Sequence, residues 1–320
     1  MRGDITDETP GAYIPGPLEH NQTGDRDEAM NTKTHMRGSN SHAPIAHSLA
    51  RRLGWALLCC TLGATSVAGA GPREQAKRIH ERLTGVAPSD SVLALMQADL
   101  EGNDAIAAAN RAMQASEFYN VTLKNMVTPW TNREQTVFAP LNDYTATIIG
   151  MVRDNEPFNT VLSADILYTG GSAGGVPAYS PSNNDHYAEL ETRGVDLRTA
   201  LQRTTQSGAM GLPAAATAGV ITTRAAAEAF FIAGTNRAMF RFTLMNHLCR
   251  DLEQVQDTSR PPDRIRQDVS RSPGGDSRIF LNNCIGCHSG MDPMAQAFAY
   301  YTYDEAGGRI VYTAGQVQAK

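Results

Sequence analysis

The sequence predicts a mainly α-helical protein with long Gly- and Pro-rich loops and a short strand-like segment near its C-terminus. Three observations support this fold class. Apolar residues recur every three or four positions over much of the chain after residue 70. Helix-forming alanines and capping residues such as Ser89 and Asp104 mark several of these segments. Between residues 169 and 196 a dense mixture of Gly, Ser, Pro and Asn interrupts the pattern.

The helical pattern divides into separate segments. We expect helices at residues 73–83, 90–100, 105–127, 141–153, 158–167, 196–205, 224–252, 277–287 and 293–303. The segment 224–252 has the widest apolar surface, which includes Phe230, Phe240 and Leu248. Asp292 and Pro293 are expected to begin the last helix, as an N-cap followed by proline at the first helical position. Residues 309–313 alternate in the way that a strand does.

The N-terminal part of the chain has the pattern of an export signal. Residues 1–52 are polar and lack periodicity, which predicts a disordered extension that ends in the basic pair Arg51-Arg52. Residues 53–70 form a short apolar run that closes with Ala68-Gly69-Ala70, so we expect a signal peptide cleaved after Ala70. The protein is therefore expected to be exported to the periplasm or cell envelope. Membrane association is expected only if this segment remains uncleaved.

Composition limits the remaining possibilities. The chain has 320 residues, 41% of them hydrophobic, and a net charge of −5 without a basic domain, which argues against a nucleic-acid partner. We divide the part after the signal into a helical accessory region at 71–168, a loop-rich connector at 169–222 and a C-terminal region at 223–320. Of the five cysteines, two lie in the signal segment, so the exported chain keeps Cys249, Cys284 and Cys287 and has no disulfide framework.

The chemistry of the C-terminal region centres on Cys284-Ile285-Gly286-Cys287-His288. The C-x-x-C-H spacing is the attachment motif of c-type haem, in which both thiols bond to the porphyrin and the imidazole Nε2 binds the iron. A zinc site would need a second pair of ligands, and a thioredoxin-like dithiol would need a βαβ context; neither is visible. Because covalent haem is attached outside the bacterial cytoplasmic membrane, the export signal and the motif support each other. We expect one haem c.

The ligand on the other side of the iron is not evident from the motif. Met291 and Met294 are too close to His288 to reach around a porphyrin, and no Met or His follows Met294. A sixth ligand would have to come from upstream, or from chain beyond Lys320 if the sequence is a fragment. The candidates are Met210 and Met245, followed by Met239 and His247.

Residues 237–309 resemble two groups of proteins. The motif Cys284, Cys287 and His288 resembles the haem segment of c-type cytochromes. The wider stretch is similar to a family of exported, cytochrome-associated proteins of unknown function, first noted in planctomycetes. That similarity rests on Leu248-Cys249, Pro261-Pro262, the haem motif, Asp292-Pro293, Phe298, Asp304, Gly308 and Arg309. The resemblance implies a haem-binding module.

These observations predict an exported c-type cytochrome that carries one haem and transfers electrons to a redox partner protein. One alternative is a haem enzyme, or a redox or gas sensor, with an open sixth position on the iron. Another is a binding module that the haem only stabilises.

Overall fold

The computed structural model describes residues 70–171, 175–232, 235–260 and 270–316. These residues confirm the mainly α-helical class, with two small antiparallel strand pairs beside the helices. The predicted N-terminal extension, and all of the predicted signal segment except Ala70, lie outside the described residues. Within the described ranges, no helix has both the length and the apolar character needed to span a bilayer.

Three helices follow the predicted cleavage site: α1 (Pro72–Thr84), α2 (Asp90–Glu101) and α3 (Ala105–Ala112). The caps are those expected, since Ser89 accepts from the Val92 amide and Asp104 from the Ala107 amide. These helices enclose a small core of their own, formed by Ala76, Leu93, Met96, Ala108 and Ala112.

The predicted helix at 105–127 is divided. After α3 ends, a π-helical segment (Phe118–Leu123) precedes α4 (Lys124–Val127). A π-turn adds a residue, and here it brings the neighbouring rings of Phe118 and Tyr119 together with Leu123 into the main core.

The centre of the molecule is α5 (Asp143–Arg153), whose residues 143–151 are all buried. It packs against β1 (Leu167–Gly170), with Gly150 directly below the ring of Tyr168. Between β1 and the C-terminal helices lie α6 (Asp185–Thr192), α7 (Leu197–Ala200), β2 (Leu201–Thr204) and α8 (Gln206–Met210). Strand β2 pairs antiparallel with β1, so that Leu167 faces Thr204 and Gly170 faces Leu201.

Two predicted helices in this part are wrong. Residues 158–167 contain one short 3₁₀ turn (Phe158–Thr160) before β1 begins, and residues 196–205 divide into α7 and β2. Each segment ends in one strand of the β1–β2 pair. Further 3₁₀ turns in the described residues lie at Thr128–Thr131, Ala214–Ala216, Leu252–Gln254, Pro273–Gly275 and Gln296–Phe298.

The C-terminal region contains α9 (Arg224–Phe230), α10 (Arg237–Leu248), α11 (Ser277–Asn283) and α12 (Ile285–Ala295), followed by the antiparallel strands β3 (Tyr301–Asp304) and β4 (Arg309–Tyr312). Strand β4 confirms the expected C-terminal strand.

Several helix boundaries in this region differ from prediction. The predicted helix at 277–287 ends at Asn283, and Cys287 belongs to α12, which continues to Ala295. The segment 224–252 is two helices because Asn236 has a positive φ of 53° and its side-chain Nδ2 donates to the carbonyls of Phe298 and Tyr301. Asp292 and Pro293 lie inside α12 and do not begin a helix. Residues 301–303 belong to β3.

A buried carboxylate links these helices to α5, and α10 in turn packs against α12. The buried carboxylate of Asp143 on α5 accepts hydrogen bonds from the Arg224 and Ala225 amides at the start of α9, at 2.6 and 3.0 Å. Phe240 and Leu244 on α10 pack with Met291 on α12. The position of α12 is therefore set by helices that belong to the main core.

Candidate functional site

The C-x-x-C-H motif lies where α11 meets α12. Cys284 ends α11 and precedes α12, with φ −115° and ψ −30°, while Cys287 and His288 occupy the first turn of α12. The His288 amide donates to the Cys284 carbonyl at 3.1 Å, so the helical turn is closed across the motif. Residues three or four apart lie on one helix face, so both thiols and the imidazole share a side of this turn. Both cysteines are half-buried, and neither forms a disulfide.

The imidazole of His288 is held through one of its two nitrogens. Its Nδ1 lies 3.0 Å from Oδ2 and 3.2 Å from Oδ1 of Asp292, one helical turn further on. A carboxylate only accepts hydrogen bonds, so the ring in its neutral form carries its proton on Nδ1. Within the described residues, Nε2 has no hydrogen-bond partner. This is the tautomer that leaves Nε2 able to bind a metal.

Asp292 is fully buried and is held by two arginines. The Nε of Arg237, at the start of α10, lies 2.8 Å from Oδ1, and Nη2 of Arg271, before α11, lies 3.3 Å from Oδ2. Burial acts to raise the pKa of the Asp292 carboxyl, but the hydrogen bonds from His288 and Arg237 outweigh it, so the pKa is lowered. The carboxylate is therefore charged.

An aromatic ring completes this arrangement. The guanidinium of Arg271 lies 4.2 Å from the ring centroid of Phe280, which is buried on α11. The Phe280 ring in turn lies 5.5 Å from the His288 ring. Each of these contacts limits the rotation of the imidazole.

The electrostatic environment of the Cys287 thiol differs from that of a nucleophilic cysteine. Burial raises the pKa of the Cys287 thiol, the carboxylates of Glu253 and Asp251 add to this effect, and Arg241 opposes it. Nucleophilic cysteines in redox dithiols have a lowered pKa. The environment of Cys287 does not favour a thiolate.

The opposite face of α12 is covered by residues 255–260. The Gly286 carbonyl accepts from the Asp257 amide at 3.1 Å. A side-chain carbon on Gly286 would lie 2.9 Å from Oε1 of Gln256, and one on Gly290 would lie 3.1 Å from the Val255 carbonyl oxygen. The two glycines therefore permit close packing on one side of the helix, while the thiols and His288 occupy the other.

The four candidate sixth ligands lie in different surroundings. Met210 ends α8 and packs against the main core, and Met239 is fully buried there. The Nε2 of His247 is 2.7 Å from the Tyr144 hydroxyl. Met245 is half-buried on α10, one turn after Arg241, whose charge acts on Cys287. Residues four apart share a helix face, so Met245 is the candidate on the side of α10 nearest the motif.

Sequence reasoning missed the residues that support His288. It placed Asp292 at the start of a new helix, which concealed its position one turn after His288. Arg271 follows Arg260, Arg264 and Arg266 in a charged stretch, and no local pattern marks it as the partner of a buried carboxylate. In the structure, Arg271 is instead mostly buried against Asp292. Arg264 and Arg266 lie outside the described residues.

In the described part of the chain, no three or more His, Cys, Asp or Glu side chains are grouped so as to hold a metal ion. Comparison of the chain with protein families, with curated proteins and with solved structures found no match.

Proposed function

We propose that the protein is an exported c-type cytochrome that binds one covalent haem and transfers electrons to a partner protein. The observation that carries this proposal is the state of the motif: two unpaired thiols share a helix turn with an imidazole whose Nδ1 is bonded to a buried carboxylate. This arrangement fits covalent haem attachment. The bound haem would supply one-electron redox chemistry through its iron.

Each residue of the motif has a separate role in the proposed function. Cys284 and Cys287 would hold the haem through thioether bonds, and Nε2 of His288 would bind its iron. Apolar side chains that remain exposed on α10 and α11 support the proposal, since a porphyrin could cover them. Leu248 on α10 and Leu281 on α11 are 57% and 53% exposed. Complete burial of an exposed leucine is favourable by roughly 1.5–3 kcal/mol, so covering the exposed half of each side chain would contribute about half of that.

A second candidate is a haem enzyme, or a redox or gas sensor, with an open sixth position. One observation favours it: Met239 is buried in the main core and His247 is bonded to Tyr144, so two of the four candidate ligands are engaged elsewhere. The carboxylate on Nδ1 also makes His288 a more basic ligand.

Haem staining tests the proposed function. The full chain would be expressed together with a bacterial cytochrome c maturation system and separated on a denaturing gel. We expect the wild-type band to stain for haem and the Cys284→Ser/Cys287→Ser double variant not to stain. Cys249→Ser, which changes a thiol outside the motif, is the matched control and should stain fully. Staining of the double variant after acid-acetone extraction would contradict the thioether assignment.

Carbon monoxide separates the two candidate functions. It would be added to the reduced wild-type protein while the Soret band is followed. An electron carrier with a closed sixth position should bind carbon monoxide slowly or not at all. An immediate shift of the band would favour the enzyme or sensor. Met245→Ala should convert a slow response into an immediate one if Met245 is the sixth ligand.

A further inference from the structure

We propose that Asp292 is the positioning residue for His288 and that Arg237 and Arg271 hold Asp292 in place. The consequence for a bound haem rests on the proposed function, whereas the orientation of the ring is a property of the polypeptide itself. Sequence reasoning assigned Asp292 only as a helix cap.

Both carboxylate oxygens of Asp292 are held by neighbouring side chains. Oδ1 contacts Arg237 at 2.8 Å and the imidazole at 3.2 Å, and Oδ2 contacts Arg271 at 3.3 Å and the imidazole at 3.0 Å. Each oxygen therefore contacts one guanidinium and the same ring nitrogen. This arrangement fixes both the position and the rotation of the carboxylate.

Asp292 and the side chains that contact it are shielded from solvent. The Asp292 side chain is 0% exposed, and the side chains of His288, Arg237 and Arg271 are 13–14% exposed. A buried carboxylate is costly unless it is paired, so the two guanidiniums are what allow it to remain charged beside the imidazole. The three supporting residues come from α10, α12 and the segment before α11. The orientation of His288 therefore depends on how these elements pack together.

The ring nitrogens of His288 are made unequal by this carboxylate. Both oxygens of Asp292 lie within 3.2 Å of Nδ1 and can only accept, so a neutral ring carries its proton on Nδ1 and leaves Nε2 for a metal. Asp292 therefore selects this tautomer, aims Nε2 and makes His288 a stronger donor.

The first test examines the haem-free protein. In protein labelled with ¹⁵N at histidine, the nitrogen chemical shifts report which ring nitrogen carries the proton. We expect a single Nδ1-protonated tautomer for His288 in the wild type and loss of that single tautomer in Asp292→Ala. The matched control is Asp251→Asn, which removes a carboxylate paired with Arg241 at 2.7 Å that does not contact His288. The control should retain the wild-type tautomer. An unchanged tautomer in Asp292→Ala would overturn the proposal.

The second test uses the haem-loaded protein, in case Asp292→Ala fails to fold. Asp292→Asn keeps the shape of the side chain but weakens its hydrogen bond to Nδ1. Its midpoint potential should rise more than that of Asp251→Asn, because both variants lose one negative charge but only the first makes His288 a weaker donor. Equal shifts in the two variants would overturn the positioning role.

The two proposals can fail separately. A colourless wild-type protein that still shows the single tautomer would refute haem binding and support the positioning role. If the protein binds haem but its His288 tautomer and midpoint potential are unchanged by substitution of Asp292, the positioning role alone is refuted.

Discussion

The contact between His247 and Tyr144 predicts how the stability of the protein depends on pH. Nε2 of His247 on α10 lies 2.7 Å from the Tyr144 hydroxyl on α5, and the Trp130 ring packs against the imidazole with centroids 5.6 Å apart. Burial lowers the pKa of His247 from 6.5 to about 4. Burial also raises the pKa of Tyr144, so its hydroxyl remains protonated and can donate to Nε2.

The sign and size of the effect follow from these values. The unfolded chain binds the His247 proton with the ordinary pKa of 6.5, whereas the folded protein resists it until about pH 4. Between these values the unfolded state holds more protons, so this contribution is complete above about pH 6.5 and is lost as the pH falls towards 4. From pH 8 to pH 5 the loss amounts to ~2 kcal/mol of the free energy of unfolding.

Urea denaturation of the wild type and of His247→Gln at pH 8 and pH 5 measures this contribution. Other groups titrate equally in both proteins, so the difference between the two pH dependences isolates His247. We expect the wild type to lose ~2 kcal/mol more than the variant. Tyr144→Phe is the control, since it removes a hydrogen bond at both pH values and keeps the titrating ring. Equal pH dependences in wild type and His247→Gln would refute the reasoning.

Three further substitutions test the fold, each by denaturant midpoint. Gly150→Ala places a methyl group in the ring of Tyr168 and should cost ~1–3 kcal/mol; an unchanged midpoint would contradict the packing of α5 on β1. Asp143→Ala leaves the Arg224 and Ala225 amides without their acceptor and should lower the free energy of unfolding by ~2–4 kcal/mol. A decrease no larger than that of a surface substitution would argue against the contact between α5 and α9. Ser89→Ala removes the cap of α2 and should cost ~1 kcal/mol; no loss would show that the cap is dispensable.

The helices that the sequence predicted well are those with local signals. α1, α2 and α5 begin and end within two residues of their predicted boundaries, because periodicity and capping are both properties of neighbouring residues. The strand pair β1–β2 was missed for the opposite reason. Leu167 pairs with Thr204, 37 residues away, and no local pattern in either short segment specifies that pairing.

The candidate site likewise combines a feature that local sequence predicts with contacts that depend on distant residues. The shared helix turn of Cys284, Cys287 and His288 follows from their spacing alone. The contacts of Asp292 were hidden because Asp-Pro usually marks the start of a helix, whereas α12 continues through it. Arg237 reaches Asp292 across 55 positions of sequence, through the packing of α10 on α12. Such a contact depends on tertiary structure and has no signature in the sequence.

The most direct test of the account is the mass of the purified, denatured chain after expression alongside cytochrome c maturation proteins. We expect the mass to include one haem per chain, which stays bonded after denaturation and acid-acetone extraction. The Cys284→Ser/Cys287→Ser variant should have the mass of the polypeptide alone. A colourless wild-type chain with the mass of the polypeptide alone would contradict it.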